Sequence, residues 1–174
     1  MGGTLPSRDA RDNLPGMTLH PEIVLELAGP AQLEELLPLI AAYHAFEDVQ
    51  TSAEQRRNSV TKLLGDKNLG EIWLVRNLDS LIGYIAACYS YSIEFGGRDA
   101  FIDEFYVEAA ERGKGIGGRV LKEIAKLLRA RGIVAVHLEV DGTNERARAA
   151  YARAGFSSRD KYHVMSLALP QPKS

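Results

Sequence analysis

Four of the seven residues from Arg112 to Gly118 are glycine, and they lie between a run of aromatic and branched residues, Ala100 to Val107, and the start of a helical pattern. Glycine lets backbone N–H groups turn toward one point, and the first turn of a helix carries unpaired donors and a partial positive charge. Phosphate suits such a turn. Arg112, Gly113, Lys114, Gly115, Ile116, Gly117 and Gly118 are therefore read as holding a phosphate-bearing cofactor, with Arg112 and Lys114 adding charge. The strand-like run before them carries two adjacent acids, Asp103 and Glu104. Successive strand residues point to opposite faces, so only one of the two faces a substrate unless a bulge intervenes.

Two patterns fit these glycines. Gly113, Gly115 and Gly118 satisfy G-x-G-x-x-G, with Glu139 21 residues beyond Gly118, as a dinucleotide-binding Rossmann unit requires. Arg112, Gly115 and Gly117 equally satisfy R-x-x-G-x-G. Against the first pattern, Glu108 to Arg112 separate the strand from the first glycine, whereas a Rossmann strand turns directly into its glycines. Too little chain follows the motif to complete a doubly wound sheet. A third reading uses the glycines only for turning and capping.

The elements that must position these residues are those of one domain. The 174 residues are 45% hydrophobic and 25% charged, an ordinary globular composition. A net charge of -2 and a pI near 6.1 give no broad attraction to nucleic acid or to an anionic membrane. With one cysteine, Cys88, and no apolar run of roughly 18 residues, the chain is expected to be cytoplasmic. Residues 1–21 mix glycine, proline and charge and read as a flexible extension, 22–169 as the domain, and 170–174 as a tail.

In order, Ile23 to Leu27 reads as a strand. Pro30 opens a helix with Leu33, Leu36, Leu37 and Ile40 on its apolar face, and Pro38 is expected to kink or restart it. Ser52 and Gln55 form a capping box for a second helix that Gly65 can end. Glu71 to Arg76 and Leu81 to Ser90 read as a hairpin, followed by the strand at Ala100 to Val107. Val120, Leu121, Ile124, Leu127 and Leu128 give the helix after the glycines its apolar face, and Gly132 closes it. Ile133 to Val140 reads as a strand parallel to the previous one, because a helix crosses between them. Thr143 or Asn144 can cap a last helix ending at Gly155, and Lys161 to Leu169 alternates as a final strand.

This order, β-α-α-β-β-β-α-β-α-β, together with two motifs, resembles the GCN5-related N-acetyltransferase (GNAT) family over about residues 22–169. The motifs are R-x-x-G-x-G at Arg112 to Gly117 after Phe105, Tyr106 and Val107, and N-x-x-A-x-x-x-Y-x-x-x-G-F from Asn144 through Ala147 and Tyr151 to Gly155 and Phe156. Ala110 stands where many members carry Gln. The resemblance implies an α/β (α+β) fold. Its central sheet would be mixed but mostly antiparallel, with about six to seven strands, about four flanking helices and a splayed parallel pair at the cofactor site.

The implied reaction is direct acetyl transfer from acetyl-CoA to a primary amine. An alkylammonium must lose a proton before its nitrogen can attack, and Asp103 or Glu104 is the expected acceptor of that proton. Tyr151 is expected to protonate the leaving thiolate. It lies seven residues after Asn144, two helical turns on and on the same face. The exposed strand edge at Phe105 to Val107 is expected to meet the cofactor's pantetheine arm, and Asn144 is expected to bind the cofactor from the splayed cleft. Tyr43, His44, Phe46 and Glu47 near the end of the first helix, with Tyr89 and Glu94 from the third strand and its loop, are expected near the acceptor. Glu47, Asp48, Glu94, Asp103 and Glu104 favour a cationic acceptor, a small amine or a lysine side chain. The alternative function is a regulatory module that binds acyl-CoA without turnover. Cys88 is expected to be a buried small hydrophobe. The histidines His20, His44, His137 and His163 show no metal-ligand spacing, so no metal is expected. An edge strand near 161–169 would allow a homodimer.

Overall fold

The computed structural model describes residues 23–169; the expected N-terminal extension, with His20, and the 170–174 tail lie outside them. Five strands form one sheet in sequential order: β1 (Ile23–Leu27), β2 (Gly70–Asn77), β3 (Ser80–Ser92), β4 (Gly97–Val107) and β5 (Ala135–Leu138). β1 to β4 pair antiparallel with one another, and β5 runs parallel to β4. This topology is not the parallel doubly wound sheet of a Rossmann unit.

Strand alternation assigns the two faces of the sheet. Trp73 and Val75 of β2 point to one side, with Ile85, Ala87, Ala100 and Ile102, where α3 (Ile116–Ala130) supplies Val120, Ile124 and Leu128. Ile72 and Leu74 point to the other with Tyr84 and Ala86, where α1 (Leu33–Phe46) supplies Leu36, Leu39 and Ile40 and α2 (Ala53–Gly65) supplies Val60. Burying one such aliphatic side chain is worth roughly 1.5–3 kcal/mol, so the two layers hold the sheet rigid between them. α4 (Glu145–Ala154) packs Tyr151 and Ala154 against the α3 side.

Several local expectations are met. Ser52 Oγ accepts from Gln55 N at 3.1 Å while Gln55 Oε1 accepts from Ser52 N at 2.9 Å. Gly132 and Gly155 follow α3 and α4 with left-handed backbones, φ 79° and 103°. Others are corrected. Pro38 lies inside one continuous helix and does not restart it. It lies near the start of the helix, where its missing N–H forfeits only the bond to Glu34.

The sheet has five strands, fewer than expected, and β5 is shorter than Ile133 to Val140. Residues 161–169 form no strand, and Val164, Met165, Leu167 and Leu169 are exposed. Alternation alone makes no ladder, since a strand exists only where a neighbour's N–H and C=O groups meet it. The edge on which a homodimer was expected therefore is not formed by this segment. No helix among the described residues is long and apolar enough to cross a membrane.

Candidate active site

The register between β3 and β4 slips by one residue: Ala86 pairs with Glu104 and Ala87 with Ile102, leaving Asp103 opposite no partner. This is a β-bulge, and it undoes the alternation. Ile102 and Phe105 belong to the α3 side, whereas Glu104 reaches Tyr84 on the α1 side. Asp103 is the extra residue of the bulge, and with Ile102 and Phe105 on either side of the pair both turned to α3, it shares the α1 side with Glu104. β5 ends at Leu138, opposite Ile102. Beyond that point Glu104 to Val107 pair with no strand but β3, and the sheet opens into a wedge with the bulge at its apex.

The two acids differ in their surroundings. Glu104 accepts from Tyr84 Oη at 2.6 Å and contacts His44 Nε2 at 2.7 Å, and His44 Nδ1 lies 2.6 Å from Thr51 Oγ1. His44 is 8% exposed and Tyr84 fully buried, so this network is internal and His44 stands behind Glu104, away from solvent. Burial, then the Glu104 charge, holds the Tyr84 phenol far above its usual value, so it remains a donor. Asp103 has no hydrogen-bond or ion-pair partner among the described residues. Its surface is open to the cleft, yet the surrounding walls desolvate it enough to push its carboxyl up. Glu104 and Glu139 push in the same direction and His44 opposes them.

Across the cleft stand Tyr43 and Glu47 from the end of α1 and Tyr151 from α4. The Tyr43 phenol is pushed up to about 12 by burial, then by Glu47, Glu104 and Asp103. Tyr151 is half-buried, edge-on to Phe156 with ring centroids 6.0 Å apart, and its phenol is raised by burial and then by Glu47. A tyrosine raised in this way is a proton donor at neutral pH.

The glycine turn lies beside the wedge. Gly115 caps α3 with φ 77° and no side-chain hydrogen bond, so no side chain caps this helix start. A Cβ on Gly118 would meet nothing within 4 Å, and one on Gly117 would only touch the Phe105 ring at 3.7 Å. The fold does not require glycine at either position. Smallness there leaves a cradle over the helix N-terminus. Arg112 is used otherwise than expected: its Nε donates to Val107 O at 2.7 Å and its guanidinium stacks on Phe46 at 4.4 Å and Tyr106 at 5.2 Å. Lys114 pairs with Glu111 at 3.0 Å. Asn144 Oδ1 accepts from Ala147 N at 3.0 Å as the N-cap of α4.

Not every expected residue reaches this cleft. Tyr89 lies on the α3 side under Arg98, its phenol pushed up to about 12 by burial and then by Glu71. Glu94 sits in the β3–β4 turn and pairs with Arg159 at 2.9 Å. Phe46 serves as the platform for Arg112. Cys88 is half-buried, with its thiol pushed up to about 11 by burial, which makes it a poor nucleophile. Sequence reading missed Tyr84, Thr51 and Arg56, which look like ordinary core and loop residues. It also missed Arg146, whose Nη2 lies 3.2 Å from where a Cβ on Gly113 would stand. Glu139 drew notice only as a Rossmann acid. The signal for Arg146 was available: it is two residues beyond the Asn144 cap and so projects from the first turn of α4.

Comparison with known proteins places the chain among acetyltransferases. Residues 33–156 match the acetyltransferase (GNAT) family. A bovine (Bos taurus) thialysine N-epsilon-acetyltransferase is 32% identical over 75 residues, 43% of this chain and 44% of that protein. A mycothiol acetyltransferase from Beutenbergia cavernae is 40% identical over 62 residues, 34% of this chain and 21% of that protein. The chain thus spans less than half the length of these curated relatives. Among solved structures, an integron cassette protein from the mobile metagenome of Cole Harbour Salt Marsh superposes with a TM-score of 0.75 and 27% identity, covering 92% of this chain and 98% of that one.

Proposed function

From a chain that belongs to the GNAT family of acetyltransferases, we propose an enzyme that transfers an acetyl group from acetyl-CoA to a primary amine of a cationic acceptor. The observation that carries this reading is the bulge at Asp103. It puts an unpartnered carboxylate at the apex of the wedge, where β4 and β5 part and a thioester can enter between them.

The uncapped start of α3, with the cradle over Gly117 and Gly118 and the Arg146 guanidinium beside Gly113, fits a pyrophosphate. The side of Glu104 to Val107 turned away from β3, apart from Val107 O, which Arg112 occupies, fits the amides of a pantetheine arm. Acetyl-CoA, when bound, supplies an activated acetyl thioester. One carboxylate at the bulge takes a proton from the incoming ammonium, so that the neutral nitrogen can form the new C–N bond as the C–S bond breaks. The Tyr151 phenol gives its proton to the departing sulfur and is reprotonated from solvent. The second proton of the attacking nitrogen leaves as the amide forms. Acetyl transfer thus releases one proton net from an ammonium acceptor.

Glu47, Asp103, Glu104 and Glu139 converge on the acceptor side, which favours a positively charged amine. A small diamine or a lysine-like side chain fits that field, and the name of the thialysine relative is consistent with it. The test is turnover of acetyl-CoA with a panel of cationic, neutral and anionic amines, following free thiol. Acetylation of cationic amines is expected; saturable CoA binding without turnover on any amine would make the chain a binding module.

A further inference from the structure

We infer that His44 and Thr51 are positioning residues of this site: with Arg56 they form a one-directional chain of donors that fixes Glu104 as an anion behind Asp103, leaving Asp103 to receive the acceptor's proton. The inference rests on the acetyl-transfer reading.

The direction of the chain follows from its two ends. Arg56 can only donate, and its Nη1 reaches Thr51 O at 2.7 Å and Thr51 Oγ1 at 3.3 Å. Thr51 Oγ1 accepts there and keeps one proton to donate, which the proposed chain directs to His44 Nδ1 at 2.6 Å. Nε2 then carries the ring proton and donates to Glu104 Oε1 at 2.7 Å, while Tyr84 donates to Oε2 at 2.6 Å. Both oxygens of Glu104 therefore receive donors. A neutral carboxylic acid would have to donate one of those contacts itself, so the arrangement suits the anion. The chain begins on α2, passes through the loop after α1 and the end of α1, and finishes on β4, so three elements are tied at one carboxylate.

Glu104 is consequently the wrong acid to shuttle a proton. Taking one would break a contact to Tyr84 or His44 in the interior. Asp103 loses nothing by accepting a proton, since it is unpartnered and open to the cleft. The groups that face it are Glu104 on its own strand, His44 and Tyr43 from α1, Tyr84 and Cys88 from β3, and Glu139 beyond β5. Of these, the fixed charge on Glu104 is the nearest along the chain and favours protonation of Asp103.

The experiment uses the full chain with Thr51→Val, Thr51→Ser and Glu104→Gln, with two readouts. Without substrate, ring-nitrogen NMR reports which His44 nitrogen is protonated, and carboxyl NMR titrates Asp103. With acetyl-CoA and the best amine, the pH profile of kcat/KM is measured. His44 is expected to be protonated at Nε2 in the wild type and in Thr51→Ser, and to lose that preference in Thr51→Val. In Glu104→Gln the Asp103 titration and the acid limb of kcat/KM should move together to lower pH, with turnover kept within about tenfold. Thr51→Val should lower kcat at unchanged KM for acetyl-CoA, and Thr51→Ser should restore it.

An Asp103 titration unmoved by Glu104→Gln, or a wild-type His44 protonated only at Nδ1, overturns the inference. So does turnover that survives Asp103→Asn but falls more than about 100-fold in Glu104→Gln. The NMR arm needs no reaction. Failure to acetylate any amine therefore counts against acetyl transfer alone, and the titrations still decide the role of the chain.

Discussion

Asp103 and Glu104 are consecutive in sequence yet face the same side of the sheet, because the bulge consumes one step of the alternation between them. Two like charges on one face would ordinarily repel without benefit. Here one is committed to Tyr84 and His44 and the other is free, and it is this difference in surroundings that separates their roles.

Asp103→Asn is expected to lower kcat/KM by about 10² or more while leaving acetyl-CoA affinity near wild type. It should also raise thermal stability at neutral pH. The sign follows from linkage: a carboxyl raised in the fold binds its proton more tightly folded than unfolded, so it costs stability as pH rises above the unfolded value, and fully above its folded one. That gain should disappear on acidification below the ordinary aspartate value of 3.8, where folded and unfolded forms are both protonated. Melting curves of both proteins across pH check this. A melting difference that grows on acidification would be the wrong sign.

The glycine turn is best tested away from Gly115, whose φ of 77° would strain any replacement and confound binding with folding. Gly118→Ala is the cleaner variant, because its Cβ meets nothing within 4 Å. A helical Gly→Ala change stabilises by roughly 0.5–1 kcal/mol, so Tm should hold or rise. Acetyl-CoA affinity should nevertheless fall, since the new methyl occupies the cradle. Calorimetric titration beside a melting curve separates the two effects, and unchanged affinity would remove the pyrophosphate from this turn.

Arg112 and Arg146 are expected to exchange the roles their sequence positions suggest. Arg112 is stacked and bonded to Val107 O, so Arg112→Lys should cost stability, about 0.5–1 kcal/mol for the lost stacking, with CoA affinity changed little. Arg146 is exposed, so Arg146→Ala should leave Tm unchanged and weaken CoA binding, with a smaller salt dependence. Affinities measured at two ionic strengths check the pair.

Much of this arrangement was legible in the residues. The elements carry their own punctuation in Ser52 and Gln55, Gly132, Asn144 and Gly155, and local capping chemistry does not depend on distant contacts. The side-chain network was not legible. His44 lies 60 residues from Glu104, and only the packing of α1 on β4 brings them within 2.7 Å. The stacking of Arg112 on Phe46 is likewise tertiary. Lys161 to Leu169 shows the opposite failure: its alternation is a local property, but pairing needs a partner edge, and residues 161–169 have none in the sheet.

Tyr151 makes the sharpest single prediction, because one hydroxyl distinguishes a packing role from a chemical one. Its ring contributes to the α3-side core and sits edge-on to Phe156, and Tyr151→Phe preserves both contacts. If packing were its whole role, the variant would lose one hydrogen bond at most, roughly 1 kcal/mol. Loss of a positioned proton donor is larger, about 10² to 10⁴ in rate. It should fall on kcat, with acetyl-CoA affinity unchanged, since the hydroxyl meets the sulfur only as it leaves. The alkaline limb of kcat offers a second check. Burial and the Glu47 charge raise the Tyr151 phenol, so wild-type activity should persist to a pH above the ordinary tyrosine value of 10.0 before that limb falls. Glu47→Gln removes the second of those causes and should draw the limb back toward lower pH. Steady-state kinetics of Tyr151→Phe beside wild type, with the chemical step shown to limit turnover, decide the matter; a kcat within about threefold of wild type would return the phenol to the core and leave the thiolate to be protonated by water.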